Sequence, residues 1–296
     1  MRKTLRTFFS SAFFMASLAS PVAAATIYEA DFSDGAIYVL TSAGGQTQIA
    51  GGLNTPYGMA FDRNGNLYYA EVGGGITILN TVNGRRTVFV SNTVLGAPFG
   101  IAFDANGNLF EADKGTGHLF KFTSAGAMST FATGLNNPYG VAFDSSNNLY
   151  ETDNGSGNIF KFAPDGTRTT FATGLNSPGG IAVDFSGNIF VSNISGATVL
   201  KFTPGGVQST FATGLNAPHG LAFDASGTLY LAGWGDRTVY TFTPGGARSV
   251  FATNVSPWNI AIVGSSVFNA TPEPSTFLLL AGGVFATALV RRKRLV

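Results

Sequence analysis

Cysteine is absent from this sequence, so no disulfide staples the fold and no thiolate can serve as nucleophile or metal ligand. Histidine is almost absent: His118 and His219 are the only two, and no Ser-His-Asp or Cys-His set is evident around them. Charge is sparse, at 11% of residues. Of the 17 basic residues, Arg2, Lys3 and Arg6 lie near the N-terminus and Arg291, Arg292, Lys293 and Arg294 at the C-terminus, which leaves 10 in the body against 15 acids, a net charge near −5. A weakly acidic body with no basic stripe excludes nucleic acid as a partner, since phosphate neutralisation needs clustered Lys and Arg.

What the chain has in abundance is repetition. A phrase that begins Pro-x-Gly and runs into Ala-Phe-Asp places its Gly at positions 58, 100, 140, 180 and 220, at spacings of 42, 40, 40 and 40 residues. A sixth, degenerate copy reads Pro257-Trp258-Asn259. A period of this length built from strands is that of a propeller blade. In one unit, the apolar runs Gly140 to Phe143 and Leu149 to Thr152 flank the turn-forming stretch Asp144-Ser145-Ser146-Asn147-Asn148 and read as a hairpin. Asn158 to Phe162, the Pro164-Asp165-Gly166 turn and Thr169 to Ala172 supply two more strands, so four fill the period. Such sheets bury both faces only against neighbouring blades, which accounts for the 27 Phe residues, among them Phe131, Phe171, Phe211 and Phe251 at equivalent fourth-strand positions.

The ends of the body fix the blade count. Ile27-Tyr28-Glu29-Ala30-Asp31 matches Leu109-Phe110-Glu111-Ala112-Asp113, a second strand with no first strand before it. Asn259-Ile260-Ala261-Ile262 is a first strand with almost nothing after it. The two termini are expected to complete one blade between them and close a ring of six, which hides the edges that an open stack would expose. The fold class is therefore all-β, a six-bladed β-propeller closed by its terminal strands, with a C-terminal hydrophobic helix in addition.

The outermost segments carry an address. Basic residues before the apolar stretch Phe8 to Leu18, followed by Val22-Ala23-Ala24-Ala25, form a signal peptide over residues 1–25, with cleavage expected after Ala25 or Ala24. The propeller is assigned to residues 26–270. Residues 271–296 open on Pro272-Glu273-Pro274, continue through an apolar run to Val290 and end in Arg291-Arg292-Lys293-Arg294. Pro274 to Val290 reaches the lower length for a spanning helix, about 17 residues, with its basic end on the cytoplasmic side. This tail resembles the PEP-CTERM sorting signal of Gram-negative bacteria. The resemblance implies recognition by an exosortase, at least transient membrane anchoring, and delivery to the cell surface or extracellular matrix, while a plain single-pass anchor is the alternative. Either reading exports the propeller.

The repeated phrase, as in Pro138-Tyr139-Gly140-Val141-Ala142-Phe143-Asp144, resembles NHL repeats and more distantly the gluconolactonase-like six-bladed propellers. NHL repeats are most often binding platforms. Counting outward from each first hairpin turn sets the residue before the Gly opposite the end of the second strand: Tyr57 with Glu71, Phe99 with Asp113, Tyr139 with Asp153, Gly179 with Asn193, His219 with Gly233 and Trp258 with Asp31. Aromatic faces beside carboxylates at one mouth suit sugars or polar polymers, and Trp234 and Asp236 follow beside His219. The other reading is that the rings pack between blades and the acids cap turns.

Two further residue sets bear on metal binding and catalysis. Asp62, Asp104, Asp144, Asp184 and Asp224 open the turns on the opposite face; position twelve counted from Asp62 is Gly73, so the calcium-loop pattern fails and these are hairpin turns. The gluconolactonase resemblance implies a divalent metal held by carboxylates and amides, some of them at the position before the Gly. Here that position holds Tyr57, Phe99, Tyr139, Gly179, His219 and Trp258, and the ligand set is not reproduced. No cofactor is assigned; calcium would require Asp31, Glu71, Asp113 and Asp153 to converge. The reading is a surface or matrix binding protein for polysaccharide or another surface partner. The alternative is a lactonase-like hydrolase, or a streptogramin-lyase-like enzyme working through a mouth histidine.

Overall fold

The computed structural model describes residues 25–41, 45–91 and 93–263. These form six antiparallel four-stranded sheets arranged as a six-bladed propeller. Blade 3 shows the plan, with strands Pro138–Phe143, Leu149–Asp153, Asn158–Phe162 and Arg168–Ala172 running from the axis outward. The first strand of each blade lies against the first strands of the two neighbouring blades, and this inner contact runs unbroken around the axis. The sixth blade takes its first strand, Pro257–Ile262, from the C-terminal side and its other three from Ile27–Asp31, Ala36–Leu40 and Gln46–Ala50. Ile27 faces Ile262, Tyr28 faces Ala261 and Glu29 faces Ile260, the closure that the terminal half-repeats imply. The signal segment, the sorting tail and the hydrophobic helix lie outside the described residues.

The repeated Gly is required by the ring itself. A Cβ on Gly58 would strike the carbonyl oxygen of Phe99 in the next blade, one on Gly100 that of Tyr139, and one on Gly180 that of His219. On Gly140 it would stand 2.7 Å from the oxygen of Gly179. The inner strands thus approach backbone to backbone, closer than any side chain allows.

Packing between blades repeats one aromatic triad. Phe110, on a second strand, meets Phe131 of its own fourth strand and Phe143 of the next blade's first strand, each at 5.0 Å and edge-on. Phe190 does the same with Phe211 and Phe223, and Tyr68 with Phe89 and Phe103. Each such edge-to-face pair adds about 0.5–1.5 kcal/mol beyond its buried area. The outermost strands are exposed along their first three residues, which are mostly polar, as in Arg168-Thr169-Thr170, with Val88, Met128 and Val250 the apolar exceptions, and the polar positions protect an unpaired edge from adding further strands.

Candidate functional site

Every first strand opens on a proline, and that proline, not the residue after it, faces the end of the second strand. The partners are Pro56 and Glu71, Pro98 and Asp113, Pro138 and Asp153, Pro178 and Asn193, Pro218 and Gly233, and Pro257 and Asp31. The facing pairs expected from the sequence (Tyr57 with Glu71, Phe99 with Asp113, Tyr139 with Asp153, Gly179 with Asn193, His219 with Gly233, Trp258 with Asp31) are not formed. A register shift follows the proline in each of these ladders, the terminal closure included, where Pro257 faces Asp31, Asn259 faces Ala30 and Trp258 is passed over. Counting from the turn assumes an unbroken ladder, and a bulge inserts a residue that such counting cannot see.

The carboxylates are consequently committed to the loops. Asp113 Oδ2 accepts from the amide of Gly96 at 2.7 Å, Asp153 Oδ2 from Asn136 at 2.7 Å, Glu71 Oε1 from Asn54 at 2.8 Å and Asn193 Oδ1 from Asn176 at 2.7 Å. In blade 5, where Gly233 has no side chain, Asp236 Oδ2 takes the equivalent amide of Asn216 at 3.2 Å. Asp31 instead receives Ser33 and Asp34, both at 2.8 Å. The clamp has a purpose: Thr55, Asn137, Ser177 and Ala217, each just before its proline, hold left-handed φ of 47–55°. Anchoring the preceding amide offsets that backbone strain. Among the described residues, no three His, Asp or Glu side chains gather as a metal site.

The aromatic residues do come together, as a plug. Around the axis, Tyr57 stacks on Phe99 at 3.9 Å, Phe99 meets Tyr139 at 5.0 Å, His219 stacks on Trp258 at 3.9 Å and Trp258 meets Tyr57 at 5.2 Å. The gap left by Gly179 is bridged by a 2.8 Å hydrogen bond between the Tyr139 hydroxyl and His219 Nδ1. Burial pulls the His219 imidazole down to about 4 and holds the Tyr139 hydroxyl well above its ordinary range, so both are neutral at pH 7. With the His219 proton on Nε2, the tyrosine donates to Nδ1.

The position after each second strand completes the mouth, and only part of it was foreseen. Phe32 lies 4.9 Å from Trp258 and 5.8 Å from Tyr57, Lys114 sits over the Phe99 ring at 4.8 Å, and Trp234 meets His219 and Trp258 at 6.1 and 5.7 Å. Ile194 fills the space where a Gly179 side chain would stand. Trp234 is 38% exposed, while Phe99 and His219 are buried. The signal for Phe32 was its place in the repeat, one residue past Asp31 as Trp234 is one past Gly233. His118 lies away from the mouth, edge-on to Phe120 on its own strand.

Below the plug, the inner strands enclose a cavity of about 550 Å³. Its walls are Ala60, Ala102, Ala142, Ala182, Ala222 and Ala261 with Phe61, Phe103, Phe143 and Phe223, and it opens at the face of the first hairpin turns beside Arg63 and Asn64. The turn aspartates cap those turns. Asp104 Oδ1 accepts the amides of Asn106 and Asn108, both at 2.8 Å, while its Oδ2 accepts Asn108 Nδ2 at 2.7 Å, and Asp62, Asp144 and Asp184 repeat the pattern.

Three carboxyls with no evident loop role lie between the blades. Glu29, Glu111 and Glu151 are fully buried at one repeat position, and both oxygens of Glu111 and Glu151 lack a hydrogen bond. Burial, then repulsion from Asp113 and Asp153 respectively, raises these two carboxyls well above the carboxylate range. The amides of Phe99 and Tyr139 act in the opposite direction without reaching hydrogen-bonding geometry. Glu29 is pushed up to about 8, by burial first and Asp31 second.

Residues 270–294 match the PEP-CTERM protein-sorting motif. The chain carries a PEP-CTERM sorting signal. That signal supports export and association with the cell envelope, and it implies recognition by an exosortase. Pro272, Glu273, Pro274 and the Arg291 to Arg294 cluster fall within the matched residues. No curated protein matches the chain. Among solved structures, a chain of a nidogen/laminin complex is 22% identical with a TM-score of 0.73, over 82% of this chain and 99% of that one. A virginiamycin B lyase from Staphylococcus aureus is 17% identical with a TM-score of 0.61, over 77% and 82%. A gluconolactonase from Xanthomonas campestris is 17% identical with a TM-score of 0.65, over 79% and 87%. These likenesses are of fold, shared by a chain of a nidogen/laminin complex, a lyase and a gluconolactonase.

Proposed function

We propose that this PEP-CTERM propeller is an exported binding protein of the cell surface or extracellular matrix, acting without catalysis on a polysaccharide or another surface partner. The observation that carries the reading is the state of the mouth. Its acids are engaged by loop amides and its histidine is buried, neutral and bonded to Tyr139, so the groups that could perform acid–base chemistry are tied into structure. What faces solvent is Trp234, with exposed Asp236 beside it and Lys114 across the mouth over Phe99. An exposed indole flanked by polar groups stacks on the apolar face of a sugar while its neighbours bond hydroxyls.

The sorting signal supports delivery to the place where such polymers lie. Calcium is not required in this reading. Binding isotherms of the full chain with the cell's own surface polysaccharide test it. Trp234→Ala is expected to weaken binding by tenfold or more with the melting temperature unchanged, as loss of an aromatic anchor does. Equal binding by the variant would remove the mouth from the account.

A further inference from the structure

The face opposite the mouth opens into a central cavity. The cavity under the aromatic plug is about 550 Å³, within the range of roughly 300–1,000 Å³ that small-molecule pockets occupy. Its closed end is the ring of Tyr57, Phe99, Tyr139 and Trp258, and its walls are the alanines and phenylalanines of the inner strands. Its open end is polar, with Asp62, Arg63 and Asn64 on the rim beside the half-exposed Val263. Alanine at one position in all six blades keeps the bore open, since a larger side chain there would fill it.

The wall is not uniform. Five blades carry Gly where the sixth carries Asn259, so the wall has one side chain at a level where the other blades have none. We propose that this cavity is a binding site for a small ligand with a flat apolar body, which enters from the hairpin-turn face and is held by the apolar walls. The alanine ring sets the ligand's width, the phenylalanines hold its body, and the polar rim keeps the entrance wet.

The two tryptophans make the test specific. In a Trp234→Phe background, Trp258 at the closed end is the only indole in the chain. Energy transfer from it to N-phenyl-1-naphthylamine, an apolar probe, reads occupancy in the full-length protein. Saturable transfer at one probe per chain is expected. Ala60→Leu with Ala142→Leu should weaken it at least tenfold by filling the bore. Val263→Glu changes an exposed rim residue, leaves folding intact and should weaken entry several-fold, so it decides the matter if the leucine variants melt early. Absence of saturable transfer, or unchanged affinity in Val263→Glu and the leucine variants, overturns the proposal.

Discussion

Replacing Glu111 or Glu151 with leucine should stabilise the propeller. The equivalent positions in blades 4 and 5 are already Val191 and Leu231, both fully buried, so the interblade space accepts an aliphatic side chain. Each glutamic acid buries two oxygens with no hydrogen bond, an arrangement that costs about 1–3 kcal/mol per group. Removing it should return a gain of that order, or roughly 2–4 °C in Tm for each kcal/mol in a body of this size. Dependence on pH separates this from packing alone. A carboxyl whose pKa is raised on folding holds its proton more tightly in the native state. Its contribution is complete below the unfolded value of about 4.3 and is lost as pH rises through the folded value. For Glu29 that upper limit is about 8, and for Glu111 and Glu151 burial sets it well above the carboxylate range. Wild-type stability should therefore fall from pH 5 to 8, by up to about 1.4 kcal/mol per pH unit for each group. Glu111→Gln should flatten the slope without the gain in stability, because its amide remains unpartnered. Chemical denaturation at several pH values measures both effects. Leucine variants less stable than wild type, or a flat wild-type profile, would refute the reasoning.

Other consequences follow from the same geometry. Gly100→Ala places a Cβ against the Tyr139 carbonyl and should cost more than about 2 kcal/mol, whereas Gly107→Ala meets open space and should cost only the strain of its left-handed backbone, about 1 kcal/mol; paired melting curves compare them. Ile260→Pro removes an amide from the strand that pairs with Glu29 and should open the terminal blade, seen as aggregation in size-exclusion chromatography. Tyr139→Phe breaks the bond to His219 and should cost about 1 kcal/mol while leaving the ring contacts in place, measured by denaturation with the imidazole titration followed by NMR. Replacing Pro272, Glu273 and Pro274 should leave export intact and trap the protein in the membrane with its tail attached, which fractionation and intact mass would report.

Much of the fold was legible because it is periodic. Forty-residue spacing, the Asp-x-x-Gly-type turns and two complementary half-repeats carry the blade count and the closure, since each blade meets the same neighbours and selects the same residues. The repeated Gly was visible, and its cause was not: it answers to the carbonyl of the adjacent blade, a contact about forty residues away in sequence. Register at the mouth was misread for a related reason. A bulge after Pro56 or Pro98 leaves no composition signature, and it moves Tyr57 and Phe99 off the ladder and inward onto one another. That shift also decides what the acids do. Asp113 and Asp153, set opposite prolines with no N–H to offer, turn to the amides of the entering loop. The buried glutamates escaped notice because a strand reading Leu-Phe-Glu-Ala-Asp looks half-exposed, and only the preceding blade covers the face that Glu111 shares with Leu109.

The central claim is that the mouth binds without turning over what it binds. Its most direct test incubates the full chain with the cell's surface polysaccharide, then follows retained polymer and soluble products together by light scattering and mass spectrometry. The account predicts saturable, stoichiometric retention that Trp234→Ala weakens by tenfold or more and a product profile identical to the polymer alone. New fragments that accumulate with time, and that disappear in His219→Ala while polymer binding persists, would contradict it and make the mouth an active site.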